Sequence, residues 1–221
     1  MNVFYLDRDP TVCAQMHCDK HVVKMIIEYA QLLSTAHRML DGVEYEGKTQ
    51  TGRRVRRWKL SDPSDEKFMY KASHINHPSA VWARANDLNY IWLLEMWYAL
   101  CYEYEHRYGR EHLTFTKLAD VLNRVPENIP DGMFYEPTPA MPDYCKLEEG
   151  SLESYRNYYI KEKTRFAKWT KRSIPTWFTS ENTECQPTLS KTQKQAKSGK
   201  SIVRSQSAMS FLRHTPTLLQ S

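Results

Sequence analysis

Beyond Pro10 the chain runs without a glycine or proline until Gly42, just past the last periodic apolar residue of the stretch from Asp9 to about Leu40. Asp9 is a good N-cap, and Pro10 suits the first helical position, where a missing N–H costs nothing. One long helix is therefore the expectation. Met16, Val23, Ile26, Ile27, Ala30 and Leu33 recur at helical spacing and are expected to face a core. The polar row is unusual. His17, His21, Lys24, Glu28 and Gln31 fall three or four residues apart, so they share one face. A second polar cluster, Ser73 to Pro78 with His74, Asn76 and His77, opens the next strongly apolar stretch. These two are expected to face each other across a pocket that carries the chemistry.

The rest of the chain supports a mainly α fold: a single helical domain over 1–180, built on the long N-terminal helix and a buried central one. Residues 2–6 read as a short apolar lead-in, a strand stub or an extended segment packed on the first helix. Asp41–Lys59, with its glycines, Val55 and Trp58, reads as a loop or loose hairpin. Asp62 starts a helix running to about Ala72. Pro78 opens another that closes at Gly109, with Asn86–Asn89 the place where it would break. Trp82, Leu88, Ile91, Trp92, Leu94, Trp97 and Leu100 make it apolar almost all round, as a buried central helix is. A short helix follows over Thr114–Val125. Five prolines between Pro126 and Pro142 exclude regular structure up to Gly150. Ser151 then begins an amphipathic helix to Arg172, and 174–178 read as a packed end-piece. From 181 to 221 the chain is Ser/Thr/Gln/Lys-rich with few large apolar residues, the composition of a disordered basic tail. No strand ladder and no internal repeat is expected.

Five scattered cysteines without a C-x-x-C pair suggest neither a disulfide framework nor a zinc ribbon. The opening residues lack the charged region and apolar run of a signal peptide. No stretch approaches the ~18 apolar residues of a membrane span, so a cytoplasmic protein without membrane contact is expected. A net charge of +5 permits a polyanionic partner. Its densest expression is Arg53, Arg54, Arg56, Arg57 and Lys59, read as a phosphate-contacting cluster or as a solvated turn, with Trp58 available to stack on a base.

His17 and His21 are i,i+4 on one helix, and His74 and His77 flank a helix entrance. Together they would offer four imidazoles to a divalent metal, although no Glu lies between the first pair as in H-E-x-x-H. Without a metal the same residues would serve proton transfer or phosphate contact. Glu28 reads either as a general acid/base or stabiliser of a cation, or as an i,i+4 partner for Lys24. Cys18 reads as a nucleophile or, more ordinarily, as a small buried thiol. No glycine-rich nucleotide loop, nucleophile elbow or kinase signature is present.

Three phrases in order resemble the phage-type pyrimidine-dimer DNA glycosylase/AP lyase family, the UV-repair endonuclease V. They are Ala14-Gln15-Met16-His17 on the first helix, Asn76-His77-Pro78 entering a long apolar helix, and Pro175-Thr176-Trp177 after the closing helix. Together they touch about a third of the chain. The opening residues 1–10, the residues around His17–Met25, the Ser73–Trp82 turn and the 167–178 ending are also similar to a group of phage proteins of unassigned activity. The family resemblance implies an α-helical fold, flipping of a damaged nucleotide, attack of the chain's α-amine on sugar C1′, and strand cleavage by β-elimination from the resulting imine. In that family a glutamate follows the helix histidine by seven residues, which from His21 lands on Glu28 and from His17 on Lys24. Asn2 leaves Met1 in place, so the amine would be that of Met1, or of Lys20 or Lys24, unless the lyase step is absent.

The expectation drawn from these readings is a nucleic-acid-directed protein, an N-glycosylase/AP lyase in kind, needing no cofactor and resident in the host cytoplasm if phage-encoded. DNA is the expected partner and RNA the alternative. Met1, His17, His21, Glu28 and His77 would form the catalytic centre. Arg53, Arg54, Arg56, Arg57 and Lys59 would hold phosphates. Two readings compete: a metalloenzyme using His17, His21, His74 and His77, and a non-enzymatic binder of nucleic acid or a host factor.

Overall fold

The computed structural model describes residues 1–179; the tail expected over 181–221 lies outside them. The long helix divides in two. α1 spans Pro10–Met16, capped by the Asp9 carboxylate, which accepts from the N–H groups of Thr11 and Val12. α2 spans Asp19–Asp41. Between them His17 and Cys18 are both extended, with ψ of 132° and 158°. No glycine or proline causes this interruption. His17 buries its ring completely and turns it back onto its own helix, where Nδ1 meets the Cys13 carbonyl at 2.8 Å. The next helix begins on a carbonyl of its own, that of Cys18, which accepts from His21 and Val22. Asp19 stands in its first turn, where a carboxylate complements the helix dipole.

The rotation of the buried face follows from that break. Val22, Met25, Ile26, Tyr29, Ala30, Leu32, Leu33 and Ala36 of α2 are buried, whereas Val23 and Ile27, expected inside, are more than a third exposed. The polar row is split by the same rotation. His21 goes into the core, while Lys24 is exposed and Glu28 and Gln31 stay at the surface.

α5, Asp87–Tyr108, is the central helix and packs on α1 and α2. Four of the five buried tryptophans bring large apolar rings inside without stranding an N–H. The indoles of Trp82, Trp92, Trp97 and Trp169 donate to the carbonyls of Tyr135, Arg8, Ile26 and Met16, at 2.8 to 3.0 Å. Val3 to Leu6 run extended through this core without pairing into a sheet. Their polar groups are met by side chains instead: the Phe4 N–H by Tyr29 Oη, the Leu6 N–H by Cys13 Sγ, and the Leu6 carbonyl by Arg156.

α3 (Pro63–Phe68), α4 (Pro78–Ala83) and α6 (Leu113–Leu118) are short. The break expected at Asn86 is present, and Asn86 caps α5 by accepting from the Asn89 N–H. The 126–150 segment is irregular apart from a 3-10 turn at Asp143–Cys145, and α4, α5 and α7 (Ser151–Lys163) hold it by side chains. Gly132 passes so close to Asn86 that an added Cβ would lie 2.6 Å from the Asn86 Cβ. α7 ends at Lys163 rather than Arg172, and α8 is the single turn Thr176–Thr179. The stretch after Gly42 is a true antiparallel hairpin with a continuous ladder, where a loop or a loose hairpin and no strand ladder were expected. Its strands β1 (Val43–Lys48) and β2 (Arg54–Lys59) pair Glu44 with Trp58 and Glu46 with Arg56. It is stapled to α2 by buried Arg38, whose guanidinium reaches the carbonyls of Trp58, Met69 and Tyr70 and the Glu66 carboxylate.

A second buried guanidinium closes the core. Arg107 donates to Glu103, to Asp19 and to the Gln15 carbonyl at 2.6 to 2.9 Å, and Arg172 covers the far side of Glu103. Breaking such a pair from one side leaves a charge uncompensated. Arg107→Met is expected to cost about 3–5 kcal/mol in urea unfolding. Arg54→Met, at an exposed pair with Glu46, is expected to cost less than about 1 kcal/mol. Equal costs would contradict this account of the core.

Candidate functional site

Glu28 lies on the outward edge of α2, one helical turn after Lys24. Its Oε1 is 3.0 Å from Lys24 Nζ, and its Oε2 is 4.0 Å from the α-amino nitrogen of Met1. The buried Val3–Leu6 segment delivers Met1 to this place. The Ser79 hydroxyl donates to the Met1 carbonyl at 3.4 Å, and so ties the chain start to α4. The turn before α4 is docked on α2 about two helical turns further along, where the Ser73 N–H donates to Thr35 Oγ1 at 3.3 Å.

His77 is the N-cap of α4. Its Nδ1 accepts from the Ser79 N–H at 3.2 Å, so the neutral ring carries its proton on Nε2. Burial pushes its pKa below the ordinary histidine value, and the charges of the Met1 ammonium and His74 push the same way, with Glu28 opposing them. His77 is thus held as a neutral imidazole in the electrostatic range of an amine and a carboxylate. His74 is exposed, with a left-handed backbone at φ 50°. The Ser73–Pro78 turn is thus docked against α2, Met1 and Lys24 meet on Glu28, and the charges of Met1 and Glu28 act on His77.

The histidines of the first helix do not join them. His17 is fully buried: Nδ1 donates to the Cys13 carbonyl and Nε2 accepts from the Tyr29 hydroxyl at 3.0 Å. Neither nitrogen retains a lone pair for a metal, and no substrate reaches the ring. His21 is 7% exposed, stacked on Phe4 with 4.3 Å between centroids, and hydrogen-bonded through Nδ1 to the Tyr159 hydroxyl at 2.5 Å. Both catalytic assignments are therefore corrected to structural ones. The four-histidine metal site goes with them, since His17 is sealed in while His74 stands in solvent. Among the described residues no group of three or more His, Cys, Asp or Glu is placed to hold a metal. Cys18 is likewise buried, and desolvation raises its thiol pKa, which suits a packed thiol and not a nucleophile.

The hairpin needs a correction too. Arg56 and Arg54 pair with Glu44 and Glu46 across the strands, at 2.8 and 3.4 Å. Trp58 is buried under Arg56 and offers no face to a base. Arg53, Arg57 and Lys59 have no carboxylate partner among the described residues. The hairpin also leaves from the far end of α2. At 1.5 Å per residue, Asp41 lies about 20 Å along the axis from Glu28.

Sequence reading missed Ser79, Tyr29 and Tyr159. Ser79 was within reach, because a histidine, a proline and a serine in succession mark an N-cap and first turn. The two tyrosines carried no such signal, since only the fold brings their hydroxyls to the histidines. No family model, curated protein or solved structure matches the chain in comparison. Among the described residues no helix is long and apolar enough to cross a membrane.

The buried rings make stability depend on pH. Desolvation holds His17 and His37 at about 4, against an ordinary 6.5, and His21 lower still. Folded pKa values below the unfolded ones mean that the neutral rings stabilise the fold. That contribution is complete above about pH 6.5 and is lost as the pH falls toward 4. Each ring contributes a slope of up to about 1.4 kcal/mol per pH unit. Urea midpoints should fall steadily on acidification from pH 7 to pH 5, with a shallower slope for His37→Gln. A midpoint that stays constant over that range would contradict the buried, neutral assignment.

Proposed function

We propose that the protein is a nucleic-acid-directed enzyme that attacks a sugar carbon through a primary amine, in the manner of a DNA N-glycosylase/AP lyase. The observation that carries this reading is the convergence of two amines, Met1 Nα and Lys24 Nζ, on one carboxylate, at 4.0 and 3.0 Å. The ordered resemblance in sequence supports it.

An amine must be uncharged to attack. It then adds to an electrophilic C1′ as the base leaves with the bonding electron pair and takes up a proton; the bound amine gives up a proton, the C1′–O4′ bond opens with its electron pair and a proton going to O4′, and the C1′–N bond becomes a protonated imine. Loss of a C2′ proton from that imine expels the 3′ phosphate by β-elimination. Glu28 is the group beside the developing iminium charge, and a carboxylate fixed there stabilises it without reorganising. The neutral His77, with its proton on Nε2, can donate to the leaving base or, with Nδ1 freed by ring rotation, take the proton from the ammonium before the amine attacks. Of the two amines, Lys24 is the exposed one, with 68% of its side chain accessible.

Borohydride reduction in the presence of an oligonucleotide with one abasic site is expected to give a covalent adduct. Peptide mapping should locate it at Met1 or Lys24. Glu28→Gln should slow single-turnover trapping by about 10²-fold, the scale of losing one preorganised electrostatic group. No adduct, or one confined to lysines remote from Glu28, would overturn the proposal. Intact mass of the purified chain reports whether Met1 is its first residue.

A further inference from the structure

The expected phosphate contacts were placed on the hairpin, where two of the four arginines are already paired with glutamates. A different surface carries cations that remain unneutralised. Lys20 Nζ sits 4.8 Å and Arg165 Cζ 5.8 Å from the same ring, Phe166. Lys163 Nζ sits 4.0 Å over the Tyr158 ring. Phe166 and Tyr158 flank one aromatic cluster: Phe166 is 5.8 Å from His21, which stacks on Phe4, and Tyr158 is 6.0 Å from Phe4. Lys24 completes the group, and both it and Lys163 lie close enough for their charges to act on His21.

None of Lys20, Lys163 and Arg165 has a carboxylate within 4.0 Å among the described residues, and only Lys24 does, through Glu28. The acids that flank them are engaged elsewhere. Glu162 accepts from the Tyr144 hydroxyl, and Asp19 from Arg107 and Thr170. A cation resting on an aromatic face is held in place without being discharged, unlike one in a salt bridge. Such a side chain is ordered before it meets an anion and still has its full charge to offer.

We infer that this face of α2, the end of α7 and the turn after it, formed by Lys20, Lys24, Lys163 and Arg165, is where the phosphate backbone of a nucleic acid strand lies, and that it leads the strand to Glu28. Lys20, Lys24 and Glu28 form one i,i+4 row, so the patch runs into the site along about 12 Å of helix. Over that length duplex DNA presents about seven phosphate charges, enough to engage every cation of the group. The inference rests on the nucleic-acid reading proposed above, and its readout is binding and not chemistry.

The test uses fluorescence anisotropy of the full chain with an undamaged duplex, and with a single strand, across about 0.05–0.3 M salt. Lys20→Gln, Lys163→Gln and Arg165→Gln combined should flatten the log–log salt slope on duplex by about 2.7 (about 0.9 for each contact), or by about 2 on single strands. Affinity at 0.15 M salt should fall at least tenfold. The matching hairpin variant, Arg53→Gln, Arg57→Gln and Lys59→Gln, should change the slope by less than one contact. Lys20, Arg165, Arg53 and Lys59 are exposed and Lys163 and Arg57 half-buried, and an unchanged thermal midpoint verifies the fold. The inference is overturned if the hairpin variant abolishes binding while the α2–α7 variant does not. It is also overturned if the chain binds vesicles of anionic lipid but neither nucleic acid, or binds none of these. A lost salt slope with no borohydride adduct would sink the amine chemistry alone; an adduct formed with an unchanged slope would sink this surface alone.

Discussion

The Asp19 carboxylate accepts from the Arg107 guanidinium, the Thr170 N–H and the Thr170 hydroxyl, at 2.7 to 2.9 Å. Its own N–H donates to the Lys168 carbonyl at 2.8 Å. Through these bonds the interruption between α1 and α2 is clamped to α5 and to the segment after α7. A continuous helix would have to surrender them and leave Arg107 and Glu103 buried with fewer partners, at a cost of several kcal/mol. Local propensity cannot compete, because carrying a helix through His17 and Cys18 gains only tenths of a kcal/mol per residue. Tertiary electrostatics decide where the first helix ends.

That break decides which residues are available for chemistry. It sends His17 into the core, where its ring joins the chain start through a relay: the Phe4 N–H donates to Tyr29 Oη, and the Tyr29 hydroxyl donates to His17 Nε2. The relay anchors the extended Val3–Leu6 segment inside a helical core, with no sheet to satisfy it. From there Met1 can reach only the outward edge of α2, and Glu28 stands at that edge. The same buried imidazoles that looked like ligands in sequence are what position the amine. The row is divided by the fold: its histidines pack inside, and Lys24, Glu28 and Gln31 stay at the surface.

Much of the fold was legible because its signals are local. Asp9 with Pro10, Asn86 with its turn, the near-continuous apolarity of α5 and Gly109 with its positive φ each announce an element. The division of α1 from α2 was not legible, since its causes, Arg107, Thr170 and Lys168, lie far along the chain. The only local hint was Asp19, an acid suited to a first turn and poorly suited to a helix interior. The phase of the apolar stripe was misread for the same reason, so Val23 and Ile27 were expected inside. At the site, Glu28 and His77 could be named because periodicity and a capping pattern single them out. That His17 and His21 are structural depends on Tyr29 and Tyr159, hydroxyls supplied by other turns. Charge counting found the hairpin's arginines, but strand register decides which of them meet glutamates.

The central claim is a spatial one: the chain start and Lys24 share the Glu28 carboxylate. Carbodiimide activation of the native protein, followed by peptide mapping, tests it without assuming any substrate, because an amide forms only between groups already in contact. The account predicts zero-length links from Glu28 to Lys24 and to the Met1 amine, both lost in Glu28→Gln. A Glu28 carboxylate that links to neither amine, with the Met1 amine joined to a carboxylate elsewhere, would contradict it.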